Sequence, residues 1–447
     1  MEKKVRIWAI TVALAGFLFG FDTVVISGAN LPIKELWNTS PWFHGTFIMS
    51  MALWGTVLGA LLGGIPCDKF GRKKTLFWIG ILYLISALGS AFATDPYIFS
   101  FFRFIGGIGV GASSVAAPIY IAEISSSKNR GSLVALYQFN IVFGIFIAFI
   151  SNYLLKGIGG VNDWRWMLGV EAIPAFIYAV MVLGVPNSPR WLILKRKDDE
   201  GALKVLNLIF DKEKALHQLT EIKQHLVSTV KGDKLFQKKY HKVLGLGFLI
   251  AFFNQLSGIN FVLYYAPEIL ERAGLATQES LFSSISIGII NLIFTFVGVR
   301  LIDKLGRKQL MKIGSLGYII SLAIVGWCFY SSASSLLLIT FILIFVASHA
   351  IGQGAVIWVF ISEIFPTKVR AAGQSWGTGT HWVFAAVITL ITPIFLDKNE
   401  GIFKENPWPI FIFFALMMVL QLLWVVFKMP ETKGVSLEEI EEQLVKE

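Results

Sequence analysis

The sequence predicts an all-α membrane protein: twelve transmembrane helices in two six-helix repeats, joined by a helical linker. Three observations predict it. Hydrophobic residues make up 55% of the 447-residue chain and the mean hydropathy is +0.67, too apolar for a water-soluble protein of this length. The apolar residues gather into runs of about 20 or more, the length a helix needs to cross a bilayer. Charged motifs of the first half return in the same order in the second, which marks a parallel repeat.

In chain order the expected spans are 7–28, 44–66, 75–94, 97–122, 131–155, 165–186, 242–270, 279–301, 311–330, 336–361, 373–397 and 407–428. Each is helical because lipid offers the backbone no hydrogen-bond partners. The first run lacks a small-residue cleavage site and leads into further apolar runs, so no cleavable signal peptide is expected. Cations fall in alternate gaps. The set that includes both termini holds Lys3, Lys4 and Arg6; Lys69, Arg72, Lys73 and Lys74; Lys128 and Arg130; a dense run from Arg190 to Lys242; Lys304, Arg307 and Lys308; and Lys368 and Arg370. The positive-inside rule then puts both termini and the linker in the cytoplasm of a plasma-membrane protein. The net charge of +10 reflects those loops and the bilayer they face; no nucleic-acid partner is expected.

The expected divisions are 1–186, a first six-helix half; 187–241, the linker; 242–430, a second half; and 431–447, a short Glu-rich tail. Within the linker, Glu200–Ile209 and Lys212–Leu226 carry apolar residues at helical spacing. Cys67 and Cys328 read as small buried hydrophobes, not a disulfide. Asp68-Lys69-Phe70-Gly71-Arg72-Lys73 returns as Asp303-Lys304-Leu305-Gly306-Arg307-Lys308, Glu123 with Arg130 as Glu363 with Arg370, and Pro186-Asn187-Ser188-Pro189 as Pro430-Glu431-Thr432-Lys433.

Two groups carry chemistry. Asp22 lies inside the first apolar run. A charge at membrane depth costs about 2.5–3.5 kcal/mol, so it needs a partner, a proton or a water-filled cavity. In the seventh span, Asn254, Gln255 and Asn260 supply amides that both donate and accept hydrogen bonds. Five residues separate Gln255 from Asn260, about 140° around a helix, so they share no stripe; Gly258 between them is placed to break the helix and turn both into one cavity. The alternative for an intramembrane amide is a helix–helix contact.

The paired Asp-x-x-Gly-Arg-Lys, the stretch Pro186-Asn187-Ser188-Pro189-Arg190-Trp191-Leu192, the stretch Gln255-Leu256-Ser257-Gly258-Ile259-Asn260 and the ending Pro430-Glu431-Thr432-Lys433-Gly434 resemble the sugar porter family of the major facilitator superfamily. The resemblance covers nearly the whole chain and implies the major facilitator fold. It makes the amides Asn254, Gln255 and Asn260 contacts for the hydroxyls of a sugar, adds Gln138, Asn291, Trp358 and Trp382 to that site, and makes Tyr264 and Tyr265 an extracellular gate. It makes Asp68, Arg72, Glu123, Arg130 and Arg190, with Asp303, Arg307, Glu363, Arg370 and Glu431, a set of ion pairs that latch the cytoplasmic side. Asn187 stands where the family carries Glu, which weakens the first half's latch. His381 stands where many members carry Asn or Gln, and His349 and His381 resemble the mammalian fructose facilitator; each is either a sugar contact or an inter-helix hydrogen bond.

The same resemblance pairs Asp22 with Arg103 as the site of proton coupling, with Glu171 a third member or a separate polar contact. Ionised Asp22 is held by Arg103; protonated Asp22 releases it. The expected function is proton-coupled symport of a monosaccharide by alternating access, through one central site in a monomeric unit, with a hexose such as glucose or fructose preferred. No cofactor, metal or enzymatic activity is expected, since no metal-ligand spacing, nucleophile elbow or phosphate loop occurs. The rivals are a facilitative uniporter of the same fold and a non-transporting sugar sensor.

Overall fold

The computed structural model describes residues 2–125, 129–227, 234–366, 368–435 and 437–445. Among them, twelve helical segments are long and apolar enough to cross a membrane: Lys3–Trp37, Pro41–Leu62, Arg72–Phe92, Pro96–Ile124, Ser132–Leu155, Gly160–Leu183, Lys238–Arg272, Thr277–Leu305, Arg307–Ser331, Ser335–Ile364, Arg370–Leu396 and Trp408–Phe427. They coincide with the runs read from the sequence and are called the first to twelfth spans below.

The helices fall into two compact units. One comprises Met1–Thr23, Trp54–Ala148 and Arg165–Lys231. In it the first and fifth spans meet along a glycine seam. A Cβ on Gly20 would stand 1.8 Å from the Ile141 carbonyl oxygen, and one on Gly144 would stand 2.1 Å from that of Phe17. Only glycine lets the backbones approach so closely, which is how helices pack where lipid removes the hydrophobic drive. The linker helices Asp199–Ile209 and Lys212–Val227 belong to this unit. Asp198 caps the first by accepting from the Gly201 amide, and Asp211 caps the second through the Lys214 amide. Their apolar stripes, through Ala202, Val205, Leu219 and Ile222, cover Trp191 and Leu192.

The second unit comprises Val24–Leu53, Phe149–Trp164 and Gly232–Glu447. Two of its spans are broken. In the seventh, Ser257 ends one helix and Gly258, at φ +84°, starts the next. In the tenth, Gly352 (φ −82°, ψ −99°) separates Ser335–Ile351 from Gln353–Ile364. Cys67 and Cys328 are buried free thiols.

Candidate functional site

In the first unit, Asp22 and Arg103 meet in the interior, 1% and 2% exposed. Arg103 Nη1 donates to Asp22 Oδ1 at 2.5 Å, and Nη2 donates to the Asp22 backbone oxygen at 3.1 Å. The guanidinium thus grips one residue through side chain and backbone together, a charge-assisted geometry stronger than a neutral hydrogen bond. Gly106, one turn beyond Arg103, leaves the room: a Cβ there would stand 2.3 Å from Ser86 Oγ and 3.6 Å from Asp22 Oδ1. Glu171, 1% exposed, lies close enough to feel the charges of both Asp22 and Arg103. Its Oε1 is buried without a hydrogen-bond partner. Two carboxyls and one guanidinium thus share a buried interior. Gln138 belongs to the same unit, half-buried on the fifth span.

In the second unit, the break at Gly258 brings the seventh-span amides together. Asn260 Nδ2 donates to Gln255 Oε1 at 2.8 Å. Gln255 Nε2 lies 3.2 Å from Asn254 Oδ1 and 3.1 Å from each ring nitrogen of His381, so it faces the ring edge between them, where one nitrogen accepts. The His381 ring lies 4.9 Å from that of Trp358 and 4.8 Å from that of Trp382. Amides beside aromatic faces meet the needs of a sugar's hydroxyls and C–H faces. Asn291 is buried on the eighth span, with Oδ1 accepting from Thr295 Oγ1 one turn on at 3.5 Å. Tyr264 and Tyr265 are fully buried; Tyr265 sits at a kink (φ −117°) and donates to the Thr389 carbonyl at 2.8 Å. His349 Nδ1 lies 2.6 Å from the Tyr318 hydroxyl.

The repeated charges form one cluster in each unit. In the first, Arg72 pairs with Glu123 at 3.0 Å and Asp68 at 3.1 Å, and Trp191 Nε1 donates to the Asp68 carbonyl at 3.0 Å. Arg190 is exposed, and the side chain of Arg130 lies outside the described residues. In the second, Arg307 donates to both Glu363 oxygens at 3.1 and 2.7 Å and lies 3.4 Å from Asp303. Glu431 accepts from the Arg307 and Lys308 amides at 3.0 Å each, a carboxylate at a helix N-terminus. Arg370 Nε donates to the Phe365 carbonyl at 3.2 Å.

Sequence reasoning missed two polar groups of the second unit. Thr39 Oγ1 meets His44 Nδ1 at 2.8 Å, His44 Nε2 meets Asn30 Oδ1 at 2.7 Å, and Asn30 Nδ2 donates to Glu268 at 2.6 Å; Lys34 pairs with Asp397 nearby. The other gives His349 an inter-helix hydrogen bond, one of the two roles expected for it, and joins Tyr318, Gln353, Gln421 and Ser315. The available signal was a polar residue in an apolar run, but Asn30 and Glu268 are 238 residues apart and nothing in their spacing pairs them.

The family model described as "Sugar (and other) transporter" matches residues 8–444. The chain is 37% identical over 441 residues to an arabinose-proton symporter of Bacillus subtilis, covering 97% of this chain and 93% of that protein. It is 35% identical over 470 residues to a D-xylose-proton symporter of Escherichia coli, covering 97% and 95%. Among solved structures it resembles the inward open conformation of the xylose transporter XylE from E. coli, with a TM-score of 0.86 and 32% identity over 98% of this chain and 99% of that one.

Proposed function

The chain belongs to the sugar transporter family, and from that premise we propose that it is a proton-coupled monosaccharide symporter of the plasma membrane, working by alternating access. The observation that carries this reading is the buried Asp22–Arg103 pair, bonded at 2.5 Å with Glu171 beside it. A pair sealed from solvent gains nothing over an apolar contact for packing alone, because desolvating two charges offsets their attraction. It gains a function if the carboxyl exchanges its arginine for a proton during each cycle. The proton-symporter names of the relatives support the same reading.

The sugar is met by Gln255, Asn254, Asn260 and His381, against Trp358 and Trp382, with Gln138 and Asn291 as further contacts and Tyr264 and Tyr265 as gate. A hexose such as glucose or fructose is the preferred substrate; pentoses, named in the relatives above, are the competing class. The recurring motifs support the repeat division at 186, 241 and 430, and the loop cations support cytoplasmic termini. The Arg72–Glu123 and Arg307–Glu363 clusters are then cytoplasmic latches, and the functional unit is a monomer.

Proteoliposomes with an imposed pH gradient test the coupling. Asp22→Asn should abolish uphill accumulation and leave sugar exchange intact; a variant that still concentrates sugar removes the assignment. Gln138→Ala and Gln255→Ala should each weaken sugar binding about tenfold, the effect of one lost hydrogen bond to a polar ligand. Unchanged affinity in both removes the site.

A further inference from the structure

A buried serine or threonine in a helix commonly gives its proton to the carbonyl one turn back. Thr75, on the third span, does so to Gly71 at 2.9 Å, and Ser284, Ser315 and Ser321 follow the same pattern in other spans. Ser86 and Ser90 do not. Both are buried on the third span, and among the described residues neither hydroxyl has a hydrogen-bond partner. Buried hydroxyls are costly to leave unpaired, so two of them one turn apart mark a place for water.

Contacts with two neighbouring helices say where these hydroxyls point. On one face the third span touches the fourth: a Cβ on Gly89 would stand 2.2 Å from the Phe102 ring, and one on Gly106 would stand 2.3 Å from Ser86 Oγ. On another it touches the sixth: a Cβ on Gly80 would stand 2.9 Å from the Tyr178 ring, and one on Gly169 would stand 3.1 Å from Ala91 Cβ. At about 100° per residue, Ser90 falls between those two faces, and Ser86 lies on the edge of the first.

The wedge between the fourth and sixth spans is where the acids lie. Asp22 Oδ1 would stand 3.6 Å from the same Gly106 Cβ that meets Ser86. The contacts of Gly80 and Gly169 make the third and sixth spans antiparallel, with residue 169 opposite 91. Glu171 therefore comes level with Gly89, between Ser86 and Ser90, and its Oε1 is a third buried polar atom with no partner. Ser86 and Ser90 are about 6 Å apart along the axis, the reach of two hydrogen bonds through one water. Ser90 lies close to the end of the span at Phe92. There half-exposed Arg165 donates to the Ala91 and Ala93 carbonyls at 2.8 and 2.7 Å. The loop cations put this end outside.

We propose that Ser86 and Ser90, with water between them, form the path by which a proton travels from the extracellular end of the third span to the Asp22–Glu171 acids. This rests on the coupling reading above. Each hydroxyl accepts a proton from the water on its outer side and gives its own to the next acceptor inward. The last transfer places the proton on a carboxylate, and Asp22 then releases Arg103. One proton moves inward, no bond between heavy atoms changes, and every hydroxyl is restored.

The test uses proteoliposomes holding the full-length protein and a trapped pH dye. Two rates are measured: proton entry driven by sugar added outside, and exchange of labelled sugar held at equal concentration on both sides. Exchange moves no net proton, so it bypasses the path and reports a folded, sugar-binding carrier. Ser90→Val and Ser90→Thr share one shape and differ in the hydroxyl. Ser90→Val and Ser86→Ala should each slow proton entry about tenfold, one hydrogen bond's worth of barrier, and leave exchange unchanged. Ser90→Thr should keep the wild-type rate. In D2O proton entry should slow further in the two slowed variants than in wild type. Ser86→Ala serves if Ser90→Val does not fold. Equal proton entry in Ser90→Val, Ser86→Ala and wild type, or proton entry and exchange falling together, overturns the inference and leaves the coupling reading standing. Sugar uptake by wild type without proton entry overturns both.

Discussion

Asp22 offers Arg103 two acceptors, a carboxylate and a backbone oxygen, and both bonds form out of water. Removing the guanidinium alone strands a buried carboxylate, at a cost of about 3–5 kcal/mol unless the acid takes up a proton. Arg103→Met should therefore lower the thermal midpoint sharply, and adding Asp22→Asn should recover most of the loss. A double variant no more stable than Arg103→Met would mean that the two residues do not act as a pair. At this scale the sequence was readable where chemistry is expensive. Asp22 stood out as a lone acid in an apolar run, and Gln255 and Asn260 as amides flanking a glycine. The partner of each was not readable, since spacing along the chain does not say which helix faces which. Arg103 entered through family resemblance, and the Asn30–His44–Glu268 chain did not enter at all.

The seventh span shows what one glycine does to an element. A straight helix would point Gln255 and Asn260 about 140° apart; the break at Gly258 closes them to a 2.8 Å hydrogen bond. Gly258 sits at φ +84°, where an L side chain costs about 1–2 kcal/mol. A Cβ there would also stand 2.8 Å from the Phe414 ring. Gly258→Ala should lower the thermal midpoint and weaken sugar binding together, read by scanning fluorimetry and fluorescence quenching on one preparation. Intact binding in a destabilised variant would show that the break does not set the site. The twelve spans and both linker helices were legible because their apolar periods are long and uninterrupted. The break in the tenth span was not: glycine is frequent in membrane helices, and the buried contacts of Gln353 just after the break leave no mark in the hydropathy.

Over the whole molecule, the repeat was legible because charge is sparse in a membrane protein and recurs in order. Its two clusters are nevertheless not copies. In the second unit Glu431 receives the amides of Arg307 and Lys308. In the first, where the sequence has Asn187, Trp191 packs on Gly71 and bonds the Asp68 carbonyl. The compact units also cut across the repeat, with Val24–Leu53 grouped with Gly232–Glu447. Contacts such as Asn30–Glu268, and Gly45 against the Leu390 carbonyl, draw that segment in, and hydropathy carries no record of them. The central claim, that sugar and proton enter together through Asp22, is tested most directly by a pH electrode in a weakly buffered suspension of proteoliposomes. With no imposed gradient, adding monosaccharide outside should alkalinise the medium with wild type and leave it unchanged with Asp22→Asn. Sugar uptake by wild type with no accompanying pH change would contradict the claim.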